Sequence, residues 1–401
     1  MGAVGVEDPA SVKYRAFTGL RNDVDPERLL PAELVTASNV DLDRTGRLAR
    51  RSGYTRVRTG SVHSLWASGA LALFVEDAAL KQLNTDYTAT ILRGILTPGL
   101  RMSYEAVNGV VYYSNAAETG VIQNGVSRSW GLAVPSLPGA VATVGTMPAG
   151  DYQYVLTWRR SDGQESGAGL AGRITLPAGS GITFALPVSA DADVTHKWLY
   201  LSPPNGDVLY RALLLANATT SATYQNDTLE LTLPLETQLL GPPPAGHLVR
   251  YYAGRMFVAV DDALFYSEPF AHELFDMRRY LALDGRITLF APAEKNGVWV
   301  ATDKAIGWVE GTDPDKFEYV QKADYGAIEG ALDYVEGSLF GDGGQGDVRI
   351  PLWLTTEGVC AGMTNGTLRN LTRERYSFSA SGQGAALFMP AEKRFVAVAN
   401  V

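Results

Sequence analysis

The side chains with the clearest chemical potential in this sequence are arginines. Arg44, Arg47, Arg50, Arg51, Arg56 and Arg58 fall within 15 residues, and no acid lies between the first and the last. Such a cluster can meet phosphate oxygens without reading bases. It can equally coat a solvated strand face or pair with acids across a subunit interface. Other groups are less organised. His63, His196, His247 and His272 are scattered singly, so a zinc site would have to be assembled from distant pieces. His272-Glu273-Leu274-Phe275-Asp276 begins like a zinc-protease helix, but Asp276 stands where the second histidine is needed. The loop 341–347 carries Asp342 and Asp347 among glycines, without the alternating ligand spacing of a calcium loop, and reads as a connection between strands. Glu310, Asp313 and Asp315 could supply glycosidase carboxylates, although Asp313-Pro314-Asp315 is more simply a turn. Neither a Gly-x-Ser-x-Gly elbow nor a phosphate-binding Gly-x-x-x-x-Gly-Lys loop is present. The expectation is a chain that is not an enzyme, with no catalytic residue, no cofactor and no metal.

Elements to position these groups must come from an unusual composition. Hydrophobic residues make up 46% and charged residues 19%, as in an ordinary globular protein, and 401 residues suggest two or three domains. Within that average, 42 Gly and 20 Pro accompany 19 Tyr and 7 Trp, which favours many short strands joined by tight turns. A net charge of -9 argues against wholesale coating of nucleic acid. The single cysteine, Cys360, lies in an apolar run and reads as a small buried hydrophobe. No apolar run is long enough to span a bilayer, and the first residues lack the basic and apolar regions of a secretory signal, so folding in a cytosol is expected. Helical signals are confined to 26–30, with a turn expected at 271–275.

Repetition is the most informative pattern. Residues 106–115 match 259–268 position by position, each reading strand, Asx-led turn, strand. Asn108-Gly109 is a strong hairpin signal because both central positions of a type I′ turn need positive φ. Looser copies occur at 71–80, 298–309 and 352–362. Tyr112, Tyr113, Phe265, Tyr266, Trp299, Trp308 and Trp353 fall within these units and are expected to pack a core. A block of different character interrupts the series at 136–248, fenced by Pro135 and Pro138 before it and by Pro242-Pro243-Pro244 after it. Removing it leaves the two best copies about 40 residues apart, the length of a four-stranded propeller blade. Alternating strands within the block suggest a two-sheet sandwich resembling fibronectin type III domains. The expected fold is therefore all-β: a β-propeller-like domain interrupted by an inserted fibronectin-type-III-like β-sandwich. Its parts are an extended interface segment at 1–60, propeller at 61–135, sandwich at 136–248 and propeller again at 249–401. The last apolar strand, 394–399, would need another part of the chain to complete its blade.

The amino-terminal stretch carries a family resemblance. Gly19-Leu20-Arg21-Asn22-Asp23 is followed by Ala37-Ser38-Asn39-Val40-Asp41 and then Gly46-Arg47-Leu48-Ala49-Arg50-Arg51-Ser52-Gly53. This resembles the opening of tail nozzle and packaged-DNA stabilisation proteins of short-tailed bacteriophages. The stretches 350–360 and 366–372 resemble the closing blades of related virion proteins. The resemblance implies a structural protein of the virion tail, nozzle or hub, made in the bacterial cytoplasm. It implies a homo-oligomeric ring, a hexamer, with an adaptor above, fibres or a needle tip below, and contact with the host cell surface. DNA would be retained and then pass without sequence-specific contact. Arg44, Arg47, Arg50, Arg51, Arg56 and Arg58 become its DNA or subunit-interface contacts. The alternative is a carbohydrate-binding or glycan-cleaving propeller acting in receptor recognition.

Overall fold

The computed structural model describes residues 16–400, apart from 44, 228, 232, 294–296, 341–347 and 377–380. The chain is all-β and divides into two compact units. The larger comprises 60–287 with 312–316; the other is drawn from 1–59, 288–311 and 317–401.

Within the larger unit, three four-stranded sheets each run in sequence order from one edge to the other. The first contains Val62–Ser68, Leu71–Glu76, Ala79–Leu83 and Ala89–Arg93. The second contains Ser103–Val107, Val110–Ser114, Thr119–Gln123 and Val126–Arg128, and the third Leu248–Tyr252, Arg255–Val260, Ala263–Glu268 and Ala271–Ala282. In the other unit, which takes over after the first residue of Ile287–Ala293, that strand with Gly297–Thr302, Ile306–Glu310 and Tyr319–Ala323 forms a fourth such sheet. A fifth starts from Ala327–Glu336, Arg349–Thr355, Gly358–Gly362 and Leu368–Asn370. Antiparallel meanders of four strands are the blade unit of propellers, and the fold is propeller-like. Tight turns make them. Asn108 and Gly109 sit at φ 50 and 79, as the type I′ turn requires, and Asp77 and Ala78 adopt φ 51 and 57 in the turn between the second and third strands of the first sheet.

The repeat is real, but its phase differs from the sequence expectation. The hairpin at 106–115 joins the first and second strands of its sheet, whereas 259–268, 71–80, 298–309 and 352–362 join the second and third. First strands begin at Val62, Ser103, Leu248, Ile287 and Ala327, giving spacings of 41, 39 and 40 outside the insertion. A meander offers several strand-turn-strand units per sheet, so local similarity alone does not identify which one has been matched. Two further expectations change. Residues 271–275 are not a turn but the start of the strand Ala271–Ala282, paired through Glu268↔Ala271. The final strand, Arg394–Asn400, pairs antiparallel with Ser381–Met389, and this hairpin extends the fifth sheet beside Ala327–Glu336. A local partner therefore replaces the distant one expected.

The insertion is a seven-stranded sandwich whose strands run from Gly139–Met147 to Ser221–Tyr224. Its first, fourth and seventh strands form one sheet; the third, second, fifth and sixth form the other, in that order. Period-two alternation along Gly150–Arg160 sends Tyr152, Tyr154, Leu156 and Trp158 into the space between the sheets, where Ile182, Phe184 and Tyr224 meet them from the opposite side. Lys197 continues this inward row and is fully buried. Its ammonium donates to the carbonyls of Pro187 and Thr219 and lies 5.5 Å from the centre of the Trp158 ring. Carbonyl partners and the ring face thus replace the lost water.

Aromatic residues of the repeats pack the cores. Trp299 and Trp353 are fully buried, with centroids 5.7 Å apart, and Trp308 lies 5.1 Å from Trp299. Backbone without a side chain makes room for them. A Cβ on Gly362 would stand 2.4 Å from Trp299 Nε1, and one on Gly297 would stand 1.8 Å from Trp308. Gly362→Ala should therefore destabilise by about 1–3 kcal/mol through overpacking. Gly53→Ala, in open space, should leave stability within about 0.5 kcal/mol. Urea titrations followed by tryptophan fluorescence compare the two.

Where the first strands of the second and third sheets meet, Val249 N–H donates to Ser103 Oγ at 3.0 Å, and Arg250 lies 4.0 Å from Glu105. Burial pushes the Glu105 carboxyl up to about 7, and the Arg250 guanidinium opposes this only in part. A carboxyl raised on folding favours the native state while protonated. Its stabilising contribution is complete below about pH 4.5 and is lost as pH rises through about 7. Glu105→Gln should be more stable than the parent at pH 8, by about 1–3 kcal/mol, with the difference vanishing near pH 4.5. Denaturant midpoints at the two pH values test the sign.

Candidate functional site in the amino-terminal segment

The arginine-rich stretch is held by a short series of local devices. Gly19–Leu20 pairs in parallel with Glu33–Leu34, and Arg21 bridges Asp23 and Glu33 at 3.0 Å each. Between them, the helix expected at 26–30 is one 3-10 turn, Pro26–Arg28, capped by Asp25 accepting from Glu27 N–H. Pro31 limits it, because a residue before proline is driven into extended backbone. Next comes a hairpin, Val40–Leu42 with Leu48–Arg50. Asp43 organises its turn, accepting from Thr45 N–H at 2.8 Å, Thr45 Oγ1 at 2.7 Å and Arg47 N–H at 2.9 Å. These donors hold its carboxyl below the ordinary range. Gly46 closes the turn at φ 82, packed so tightly that a Cβ would stand 2.7 Å from the Phe17 carbonyl oxygen.

The arginines do not form a single patch. Strand alternation places Arg50 on the face of Val40, its cross-strand partner, while Arg47 and Arg51 flank Ala49 on the face of Asp41. Arg51 pairs with Asp41 at 3.3 Å, and Asp41 also takes Arg394 at 3.2 Å. Arg47 lies in the field of Asp43. Arg56 turns back on the chain, donating to the carbonyls of Arg58 at 2.6 Å and Thr59 at 2.9 Å. Arg58 is half-buried, and Arg44 lies outside the described residues. Arg50 is exposed and makes no side-chain hydrogen bond or ion pair among the described residues. Asp41 and Asp43 are easily missed in the sequence because they stand just ahead of the arginine window. Their signal is present all the same: acids and arginines at alternate positions on either side of the Thr45-Gly46 turn.

Apolar exposure accompanies the charge. Among the described residues between Phe17 and Thr59 only Gly46 is buried, while Leu30, Val35, Leu42, Tyr54 and Val57 are all exposed, Tyr54 to 96%. The segment is tied down by backbone hydrogen bonds, such as Asn22 N–H to the Arg375 carbonyl at 3.0 Å, and not by a core of its own.

The remaining candidates occupy structural positions. The four histidines stay apart: His63 bonds Ser64, His196 bonds Thr195, His247 reaches the Ile287 carbonyl and His272 meets Tyr112. Asp313 caps the turn Pro314–Lys316. Asp315 accepts from Tyr266 at 2.6 Å and pairs with Arg279, which together hold its carboxyl low. Cys360 is buried, and burial raises its thiol. The loop 341–347 lies outside the described residues. Among those described, no cluster of three or more metal-binding side chains occurs, and no helix is long and apolar enough to cross a membrane.

No protein-family model matches this chain, and no curated protein sequence matches it. Solved structures overlap it weakly. The N-terminal domain of Nup159 shows 10% identity and a TM-score of 0.25 over 77% of this chain and 74% of its own. AztD of Citrobacter koseri shows 11% identity and a TM-score of 0.25 over 86% and 90%. Superpositions at this level do not establish a shared fold, so the propeller-like assignment rests on the strand order of the five sheets.

Proposed function

We propose that this chain is a structural component of a bacteriophage tail, a nozzle or hub subunit that assembles into a ring, retains packaged DNA and lets it pass into the host. The observation that carries the reading is the amino-terminal segment. It bears the motif resemblance to tail nozzle proteins, and it leaves Leu30, Val35, Leu42, Tyr54 and Val57 in solvent beside Arg47, Arg50 and Arg51. Apolar and cationic side chains held in order without a core are what a subunit interface requires. A ring of identical copies would cover the apolar members. Those arginines left on a lumen would meet phosphates without sequence preference. The chain's net charge of -9 suits this role, since a strongly basic pipe would trap the DNA that it must release. A hexamer is the assembly that the resemblance suggests, within the virion tail, between an adaptor and the fibres or tip.

Negative-stain microscopy of the purified protein should show closed rings. Tyr54→Asp with Val57→Asp should return the protein to monomers that remain folded, because neither residue contributes to a core. In salt-titrated retention of duplex DNA, replacing Arg47, Arg50 and Arg51 by alanine should reduce the slope of log K against log salt by about 2–3, at about 0.9 for each phosphate that is no longer neutralised. A monomer that stays monomeric at high concentration and shows no affinity for tail partners would overturn the reading.

A further inference from the structure

A strand at the edge of a sheet presents unpaired N–H and C=O groups, and a cationic side chain on that strand discourages a second edge from pairing there. The last strands of the first four sheets, Ala89–Arg93, Val126–Arg128, Ala271–Ala282 and Tyr319–Ala323, each carry arginine or lysine. So do both edges of the fifth sheet, Leu368–Asn370 and Arg394–Asn400. In the sandwich, Gly172–Leu176 carries Arg173. Tyr210–Ala216 is covered by later chain, with Arg211 N–H donating to the Leu233 carbonyl at 3.2 Å and Leu235 N–H donating to the Leu209 carbonyl at 2.8 Å.

The first strand of the sandwich, Gly139–Met147, has no such protection. It is an edge of its three-stranded sheet, nine residues long, with neither a charge nor a proline. Its ladder to Ser180–Ala185 runs without a shift from Gly139 to Val144. An antiparallel ladder uses the backbone groups of alternate residues, so those between point to the open side. Among the described residues, no backbone group outside that ladder bonds residues 139–143. Side chains alternate too. Ala140, opposite Phe184, packs on the sandwich core, which turns Val141 outward, 62% exposed.

The chemistry of the sheet selects the partner. Gly139–Met147, Ser180–Ala185 and Ser221–Tyr224 contain no charged residue, in a chain of which 19% is charged. Two copies of a charged edge repel each other, whereas a neutral edge meets its own copy without that cost. The sheet's other edge, Ser221–Tyr224, is only four residues long and offers little to pair with.

We propose that the open edge at 139–143 pairs with the same edge of a second copy, antiparallel about a two-fold axis through Val141. Val141 then lies beside Val141 of the other copy, and Gly139 beside its Thr143, so that two three-stranded sheets become one of six strands. Each copy spends its single open edge, and association stops at two. So short a contact buries less than the roughly 1,200 Å² of a stable interface, so the pairing is concentration-dependent. It is independent of the tail role: assembly through the amino-terminal segment can fail while the edges pair, and the reverse.

The test uses the full chain carrying Tyr54→Asp and Val57→Asp, which separates edge pairing from assembly through the amino-terminal segment. Sedimentation velocity should show monomer and dimer alone, with half-association at about 100 µM. Amide hydrogen exchange at 139–143 should slow as concentration rises, a reading that needs no further substitution. Val141→Lys and Val141→Glu should each weaken pairing by about tenfold, and an equimolar mixture of the two should restore it. Val141→Thr, neutral and β-branched, should pair like its parent. Far-UV circular dichroism checks that the charged variants stay folded. A monomer at every concentration, charged variants that associate like their parent, a mixture that stays monomeric, or open-ended aggregation in place of a dimer would overturn the proposal.

Discussion

A four-stranded antiparallel meander satisfies its interior backbone hydrogen bonds locally but cannot bury its own faces, and the rest of this structure answers that constraint. Within each unit, apolar side chains of one sheet are covered by the next sheet in sequence. Leu73, Val75 and Leu80 of the first sheet meet Tyr104, Val111 and Tyr113 of the second. Val107 and Val121 of the second meet Val249, Met256 and Val258 of the third. In the other unit, Trp299 and Trp308 of the fourth sheet meet Trp353 and Cys360 of the fifth. Stacking of large rings demands backbone with nothing attached opposite them, which is why Gly297 and Gly362 lie against indoles. The glycine and aromatic content of the composition is thus a single feature seen from two sides.

The insertion obeys the same physics in a closed form. Its two sheets cover each other, so the sandwich needs no neighbouring blade to complete its core and can enter a repeating series without supplying a repeat. It nonetheless bonds to the series, where Arg160 donates to the Ser129 carbonyl, Asp162 pairs with Arg128 and Gly241 bridges Phe275. Polar side chains left between two independently folded pieces find partners only as the docking geometry allows. This is how Arg128 Nε and Gln164 Oε1 come to be buried without partners.

Legibility follows the range of the interactions. Asn108-Gly109 announces its hairpin because positive φ is a demand on two adjacent residues, visible without any partner. The period of about 40 and the proline-fenced insertion are readable for the same reason. The phase of the repeat is not, because a strand-turn-strand unit looks alike wherever it falls in a meander. The separation of Arg50 from Arg47 and Arg51 depends on strand pairing, and the pairing of Arg51 with Asp41 crosses a turn. The contact between the second sheet and the sandwich is invisible in the sequence, since Tyr112, Gln164 and Glu273 are brought together only by sheet stacking and sandwich docking.

The amino-terminal segment stands apart from this economy. Elsewhere the cores form where one sheet covers the next or the facing sheet, whereas between Phe17 and Thr59 order is imposed by Asx turns, a parallel two-residue pairing and ion pairs at Asp41 and Glu33. Such devices fix a backbone path cheaply but bury little, so their stabilisation comes mainly from preventing alternatives. A segment pre-ordered in this way loses less entropy when a partner covers it than a free chain would. On the proposed ring assembly, fixing the path first and postponing burial would let the interface form only between correctly folded copies.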